Sequence, residues 1–137
     1  MFEHTQEIRI LYSDTDAYGV VWHGAYTKWF EAARVEFIEE LGFDVKKLEE
    51  TIVFPVVEMN IRYKSSAKLN DRIIIKTSLK ELKPMGMTFE HDVFDKETSA
   101  LRTVGKTTIV CVEPSTGKLI RRMPSDIFEK CQKVLNN

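Results

Sequence analysis

Residues 24–42 read GAYTKWFEAARVEFIEELG, and the spacing of their apolar side chains decides the fold. Apolar residues recur there every three or four positions, which is the period of an α-helix with a buried face. They are Tyr26, Trp29, Phe30, Ala33, Phe37 and Leu41, with Ala32, Val35 and Ile38 widening the stripe. Because Gly42 supplies a left-handed C-cap, we predict a helix from about Gly24 to Leu41, roughly 27 Å long. The wide stripe predicts that this helix is covered on more than one side.

The segments on either side follow a period of two, which indicates strands. Residues 7–13 predict a short strand before the helix, with Ile8, Ile10 and Tyr12 on one face. Four longer strands are predicted after it, at residues 57–64, 73–80, 87–93 and 101–112. A last helix is predicted from about Ser125, a good N-cap residue, to Leu135. The order β-α-β-β-β-β-α is that of an α+β fold in which a five-stranded antiparallel sheet wraps one long helix.

Composition excludes several classes of protein. The 137 residues carry 20 Lys and Arg against 21 Asp and Glu, a net charge of −1, which gives no support for nucleic-acid binding. The length suits one domain over residues 1–137. No apolar run could span a membrane, and the polar stretch from Met1 to Gln6 predicts no signal peptide. Cys111 and Cys131 lack metal or redox spacing, so we expect reduced thiols, a cytoplasmic location and no bound metal.

The loop before the helix, residues 12–26, reads YSDTDAYGVVWHGAY and concentrates the polar chemistry of the chain. Neither His23 nor Gly24 is a good N-cap, so the first amides of the helix are predicted to lack side-chain partners. Such amides suit a carbonyl oxygen that gains negative charge. Gly19 and Gly24 are expected to let the backbone approach a ligand closely.

The run at residues 14–34, DTDAYGVVWHGAYTKWFEAAR, resembles the signature of hot-dog-fold acyl-CoA thioesterases, in particular the YbgC-like and 4-hydroxybenzoyl-CoA thioesterase group. That pattern is an aspartate, two variable residues, a glycine, two aliphatic residues, an aromatic residue, and then His or Tyr before a Tyr-rich helix start. FPVVEMNIRYKSSAKLNDRI at residues 54–73 and MPSDI at residues 123–127 also fall where the family has similar segments. The resemblance implies a hot-dog fold and hydrolysis of acyl-CoA thioesters without metal or cofactor.

The resemblance also implies roles for individual residues. Asp16 matches the catalytic carboxylate, which either attacks the thioester carbonyl or activates a water. The backbone N–H of His23 matches the donor that polarises the carbonyl oxygen, and its side chain matches a second catalytic residue that is Tyr in the aryl-CoA branch. The residues expected to bind substrate are Tyr18, Gly19, Val20, Trp22 and Met59 around the acyl group, and Lys83, Arg121 and Arg122 at the coenzyme phosphates, with Lys64 and Lys68 as alternatives.

A lone chain would leave one sheet edge and some apolar strand surface exposed, which predicts a homodimer with a continuous sheet, and we expect a dimer of dimers. The acyl pocket is expected between the helix and the partner. The sequence leaves open whether the acyl donor is CoA or an acyl carrier protein.

Several alternatives remain at this stage. A hot-dog hydratase or dehydratase has Asp and His five apart around Asn-Pro, whereas Asp16 and His23 are seven apart. A non-catalytic acyl-CoA-binding module would use the same pocket. A Ser or Cys triad has no support in the sequence. Individual residues also have structural interpretations: Asp14 and Asp16 could cap turns, Glu31 could be a rival carboxylate or pair with Lys28 or Arg34, Trp22 could belong to the core, and His4 and His91 could be surface or strand-face residues.

Overall fold

The computed structural model describes residues 2–136, and within them the predicted α+β architecture is confirmed. Its elements are β1 (His4–Arg9), α1 (His23–Glu40), α2 (Val45–Leu48), β2 (Val56–Tyr63), β3 (Arg72–Lys83), β4 (Gly86–Asp95), β5 (Leu101–Val110) and α3 (Ser125–Asn136), with a 3₁₀ turn at Tyr12–Asp14. The short helix α2 was not predicted. Asp44 begins it by accepting a hydrogen bond from the Lys47 amide.

The five strands form one antiparallel sheet in the order β1-β3-β4-β5-β2, which leaves β1 and β2 at the edges of the single chain. The hairpin between β3 and β4 turns at Lys83–Gly86 and marks one end of the sheet. Arg72 and Asp95, at the start of β3 and the end of β4, mark the opposite end. The charged residues that the sequence predicts for the site are divided between these two ends of the sheet.

Helix α1 lies against the inner face of the sheet, and a glycine on β5 makes room for it. A Cβ on Gly105 would lie only 2.4 Å from Cε2 of Phe30, so no other residue fits there without displacing that ring. The Phe30 ring also stacks on the imidazole of His91, with ring centroids 4.3 Å apart and planes 5° apart. Phe30 thereby fixes the middle of α1 against β4 and β5.

The two histidines expected on a surface or strand face both lie in strands, His4 in β1 and His91 in β4, but both are buried, so only the surface interpretation is wrong. His91 lies under α1, where its Nδ1 bonds to the Thr77 hydroxyl at 2.8 Å and its Nε2 bonds to the Thr107 hydroxyl at 3.1 Å. His4 contacts Glu36 at 2.9 Å and Glu40 at 2.6 Å, and so joins β1 to the last turns of α1. Because both buried rings have polar partners on other elements, the free-energy cost of removing them from water is offset.

Two further expectations need correction. The first strand spans His4–Arg9 rather than residues 7–13, because the chain enters a 3₁₀ turn at Tyr12, whose side chain is 81% exposed. The outer side of α1 is also not covered within this chain: Ile38 is buried, but Ala32 and Val35 are exposed.

Both cysteines are free and buried. Among the helices of residues 2–136, none is both long and apolar enough to cross a membrane.

Candidate active site

The polar loop forms a small hairpin that leads directly into α1. Thr15 and Val21 form an antiparallel bridge. The Asp16 amide donates to the Val20 carbonyl at 2.9 Å, and the Trp22 amide donates to the Asp14 carbonyl at 3.0 Å. We call residues 14–22 the Asp14–Trp22 hairpin. Gly19 closes its turn with φ of +78°, a conformation that favours glycine, and its amide donates to the Asp16 carbonyl.

Asp16 lies exposed at the turn of this hairpin, and only one of its carboxylate oxygens has a partner. Oδ1 accepts a hydrogen bond of 2.8 Å from the Tyr18 amide, which orients the carboxylate. Within residues 2–136, Oδ2 has no hydrogen-bond partner. The carboxylate therefore caps the turn and still presents one oxygen for chemistry.

Asp14 has a different environment. Its Oδ2 accepts a hydrogen bond of 2.9 Å from the Leu11 amide and so closes the 3₁₀ turn that precedes the hairpin. This is the turn-capping role that the sequence suggested for Asp14. The two aspartates thus differ in their hydrogen-bond partners: Asp14 accepts from the Leu11 amide before the hairpin, and Asp16 accepts from the Tyr18 amide within it.

The first turn of α1 presents unpaired amide donors next to this hairpin. Trp22 occupies the N-cap position, with φ of −82° and ψ of 152°, and its side chain makes no capping hydrogen bond. The Ala25 amide bonds to the Trp22 carbonyl, but the amides of His23 and Gly24 find no acceptor within the described part of the chain. The His23 side chain is exposed. Two free N–H groups at the positive end of a helix are suited to an oxyanion.

Gly24 does not leave open space for a ligand, contrary to expectation. A Cβ at Gly24 would meet the six-membered ring of Trp22, which fills that position, whereas a Cβ at Gly19 would meet nothing within 4 Å. Trp22 is 43% exposed and is therefore not the core residue that its size suggested. Tyr26, Trp29 and Phe30 do lie in the core.

The residues predicted to surround the acyl group are only partly brought together by one chain. Tyr18 and Val20 share the hairpin with Asp16, and Tyr18 is 90% exposed. Met59 lies on the inner face of β2, opposite Thr107 of β5. Glu31 forms no ion pair among the described residues; with Arg34 it lines an apolar cavity of about 190 Å³ beside α2. Burial lowers the pKa of Arg34, and Glu31 opposes that effect.

The predicted phosphate-binding cations meet at one place, but it is the wrong end of the sheet for the same chain's Asp16. The Met123 amide bonds to the Pro84 carbonyl at 2.7 Å, which brings Arg121 and Arg122 beside Lys83. We call these three residues the basic cluster. Ten residues of β4, about 30 Å, separate that end of the sheet from the end near the Asp14–Trp22 hairpin.

Two of the alternative cations lie nearer to the hairpin. Lys68 forms a bridge with Val20, and Lys64 follows directly after β2 at the same end of the sheet. Lys83 is 3.2 Å from Glu81, an exposed pair that binds weakly. Within a single chain, therefore, Lys64 and Lys68 rather than the basic cluster accompany Asp16.

A large concavity lies on the other face of the sheet. It has a volume of about 850 Å³ and is lined by outward-facing side chains of β2 to β5, among them Arg62, Glu90 and Lys106. It contains neither Asp16 nor the first turn of α1. We locate the candidate active site at the hairpin and helix start because the unpaired amides and the oriented carboxylate lie there, whereas this concavity is a polar strand surface.

Comparison with known proteins shows the family to which this chain belongs. Residues 10–131 match the model of the thioesterase-like superfamily. A putative esterase of Synechocystis sp. is 33% identical over 93% of this chain and 77% of its own length. The acyl-CoA thioester hydrolase YbgC of Escherichia coli O6:H1 is 31% identical over 88% of this chain and 89% of its own length. A DHNA-CoA thioesterase from Staphylococcus aureus superimposes with a TM-score of 0.91 at 32% identity, covering 99% of this chain and 93% of that one.

The chain belongs to the thioesterase-like superfamily and has its hot-dog fold, as the sequence predicted. Within that superfamily it is a member of the acyl-CoA thioester hydrolase family.

Proposed function

We propose that the chain hydrolyses acyl-CoA thioesters at the start of α1, with Asp16 as base or nucleophile and the His23 amide as donor to the oxyanion. One observation supports this assignment. The second strand of the Asp14–Trp22 hairpin continues directly into the first turn of α1, where the amides of His23 and Gly24 have no acceptor within the described residues. Carboxylate and donors therefore share one short, hydrogen-bonded unit. Thioester hydrolysis needs a base or nucleophile and donors to the oxyanion. It does not need a strong acid as well, because the thiolate is a good leaving group.

Two routes fit the geometry. In the first, Asp16 Oδ2 attacks the carbonyl carbon, the C–S bond breaks, the thiolate leaves, and water then hydrolyses the mixed anhydride. In the second, Oδ2 takes a proton from a water that attacks the carbonyl, and the acid and the thiol leave. In both, the negative charge on the carbonyl oxygen is stabilised by the His23 amide. Incorporation of oxygen-18 from solvent into Asp16 during a single turnover would separate the first route from the second.

We also propose that the active unit is a dimer joined through β2, and that dimers pair further. β2 is a sheet edge that exposes 59% of Val57 and 54% of Tyr63. Its outward side chains run from Glu58 to Arg62, so an antiparallel second copy would place unlike charges opposite each other. An apolar edge with complementary charge favours a second copy over solvent.

The same pairing would complete the binding site. Tyr63 lies at the hairpin end of β2 and Val56 at the basic-cluster end. In an antiparallel dimer the partner's basic cluster would therefore approach this chain's Asp16. We propose that the partner's cluster holds the coenzyme phosphates, with Lys68 of the same chain nearby. Tyr18, Val20, Trp22 and Met59 would surround the acyl group between the two chains.

The relatives suggest which acyl groups to test. The Staphylococcus aureus protein is named as a DHNA-CoA thioesterase, and the YbgC proteins are named only for acyl-CoA. We therefore propose a panel of short aliphatic, long aliphatic and aromatic acyl-CoAs, with acyl carrier protein thioesters as a second donor class. The buried free thiols agree with a reducing, cytoplasmic compartment, which we also propose.

The test is release of free thiol from this panel. We expect Asp16→Asn to lower kcat at least a hundredfold with the best substrate, because the amide neither attacks nor takes a proton. The matched control is Asp14→Asn on the same hairpin, which can still accept from Leu11 and should stay within about threefold of wild type.

The hydrolase assignment to this site is lost if Asp16→Asn matches wild type. If the wild-type chain binds acyl-CoA but releases no thiol from any substrate, the non-catalytic binding module replaces it.

A further inference from the structure

The Trp22 side chain lies against the backbone of Gly24 in the first turn of α1. A Cβ on Gly24 would be 2.0 Å from Cζ3 and 2.1 Å from Cη2 of the indole, far inside any tolerated contact. The φ of Gly24 is not positive, unlike that of Gly19 or Gly42. Glycine at this position leaves the volume to the indole, so any side chain placed there must displace the Trp22 ring.

The indole also contacts the neighbouring candidate residue. The ring centroids of Trp22 and His23 are 5.7 Å apart with an angle of 69° between planes, an edge-to-face arrangement. The Trp22 backbone is held by its amide hydrogen bond to the Asp14 carbonyl. With 43% of its surface exposed, the side chain has one side on the helix turn and another toward solvent.

This placement, which rests on the proposed function, gives Gly24 and Trp22 a joint task. We infer that the Trp22 indole forms a wall over the oxyanion-binding turn, and that Gly24 is a positioning residue that sets where the wall stands. The wall keeps water from one side of the His23 and Gly24 amides and fixes the His23 ring. Hydrogen bonds to a developing oxyanion are stronger where water is excluded.

Gly24→Ala is the direct test because it displaces the indole while Trp22 itself is not substituted. The added methyl group meets the far end of a half-exposed side chain, so the ring can swing outward and the fold is retained. Alanine is also the better helix former, so the Tm should not fall. We expect kcat to fall about tenfold to a hundredfold, because displacements near 1 Å disturb reacting geometry, and KM to change by a smaller factor than kcat.

A double-mutant cycle assigns the effect to the indole. Trp22→Ala alone should lower kcat to a similar extent, and adding Gly24→Ala to Trp22→Ala should lower it no further. The inference is overturned if Gly24→Ala alone leaves kcat within twofold of wild type. It is equally overturned if Gly24→Ala lowers kcat as much in the Trp22→Ala background, since the glycine would then act without the indole.

A second measurement does not depend on catalysis. The chain has two tryptophans, and Trp29 is buried, so Trp29→Phe leaves Trp22 as the only tryptophan. In this background, Gly24→Ala should raise the iodide quenching constant of Trp22 fluorescence at least 1.5-fold. An unchanged constant would contradict the packing of the indole on Gly24. Absence of thiol release from wild type would overturn the proposed function but leave this result intact, so the two failures can be told apart.

Discussion

His91 is the residue whose burial has the clearest consequence for stability. Its ring is fully buried between the Thr77 and Thr107 hydroxyls and stacked on Phe30. Burial, assisted by the nearby positive charge of Arg34, lowers the pKa of His91 to about 3. A neutral imidazole can donate from one nitrogen and accept at the other, which suits two hydroxyl partners.

We expect this group to make the folded chain sensitive to mild acid. Between about pH 6.5 and pH 3 the unfolded chain binds a proton at His91 that the folded chain does not, so the free energy of unfolding falls as the pH falls through this window. The slope approaches about 1.4 kcal/mol per pH unit. Urea denaturation at pH 7 and pH 5 measures it, and His91→Gln should remove most of the difference.

The choice of pH 5 keeps a second titration out of the measurement. Two backbone amides and Arg102 hold the Asp95 carboxylate, and chiefly the Thr98 amide, then Arg102, lowers its pKa to about 2. Its contribution is lost only as the pH falls below about 4, the ordinary value of a free carboxyl. An equal pH dependence in wild type and His91→Gln would show that His91 is not the group responsible.

Among the elements, strand β2 makes the sharpest prediction about assembly. Val57 on β2 and Val35 on the outer face of α1 are exposed by 59% and 38%. A lysine at position 57 would place a charge in the proposed sheet-to-sheet contact, whereas a lysine at position 35 would not. We expect Val57→Lys to reduce the light-scattering mass at micromolar concentration to that of one chain, 15.9 kDa, and Val35→Lys to remain at least a dimer.

Two results would contradict the β2 contact. A wild-type mass of one chain would remove the dimer altogether. A Val57→Lys protein that keeps the wild-type mass, while Val35→Lys becomes monomeric, would move the contact to the helix face.

The elements also show what a sequence can predict. Helix α1 and the long strands follow from local periods, and their predicted limits lie within a few residues of the observed ones. The burial of His4 and His91 does not follow, because it depends on Glu36 and Glu40 for one and on Thr77 and Thr107 for the other. Helix α2 was missed because four residues carry too little periodicity.

The candidate site, too, could be predicted from the sequence only in part. The amides without acceptors were predictable, because no residue near His23 can cap the helix. The use of Gly24 was not, because a side chain two residues earlier folds back over it. The distance between the basic cluster and Asp16 was not predictable either, since it depends on which strands are neighbours in the sheet.

At the scale of the whole molecule, the net charge of −1 hides a separation along the sheet. The basic cluster lies at the β3–β4 hairpin, and the Asp14–Trp22 hairpin lies at the other end. If both serve one substrate, each chain holds half of two different sites. A chain damaged in one half is then still able to serve its partner with the other.

This arrangement predicts recovery of activity from two inactive proteins. Asp16→Asn keeps its cluster, and a Lys83→Gln, Arg121→Gln, Arg122→Gln triple variant keeps its Asp16. Unfolded together and refolded at equal concentration, half of the dimers are mixed, and each mixed dimer has one intact site, so about a quarter of wild-type thiol release should return. No recovery, with mixed dimers verified by mass spectrometry, would place both halves of the site in one chain. Recovery would make activity a property of the pair of chains, which is lost on dilution when the pair dissociates and which no single subunit carries.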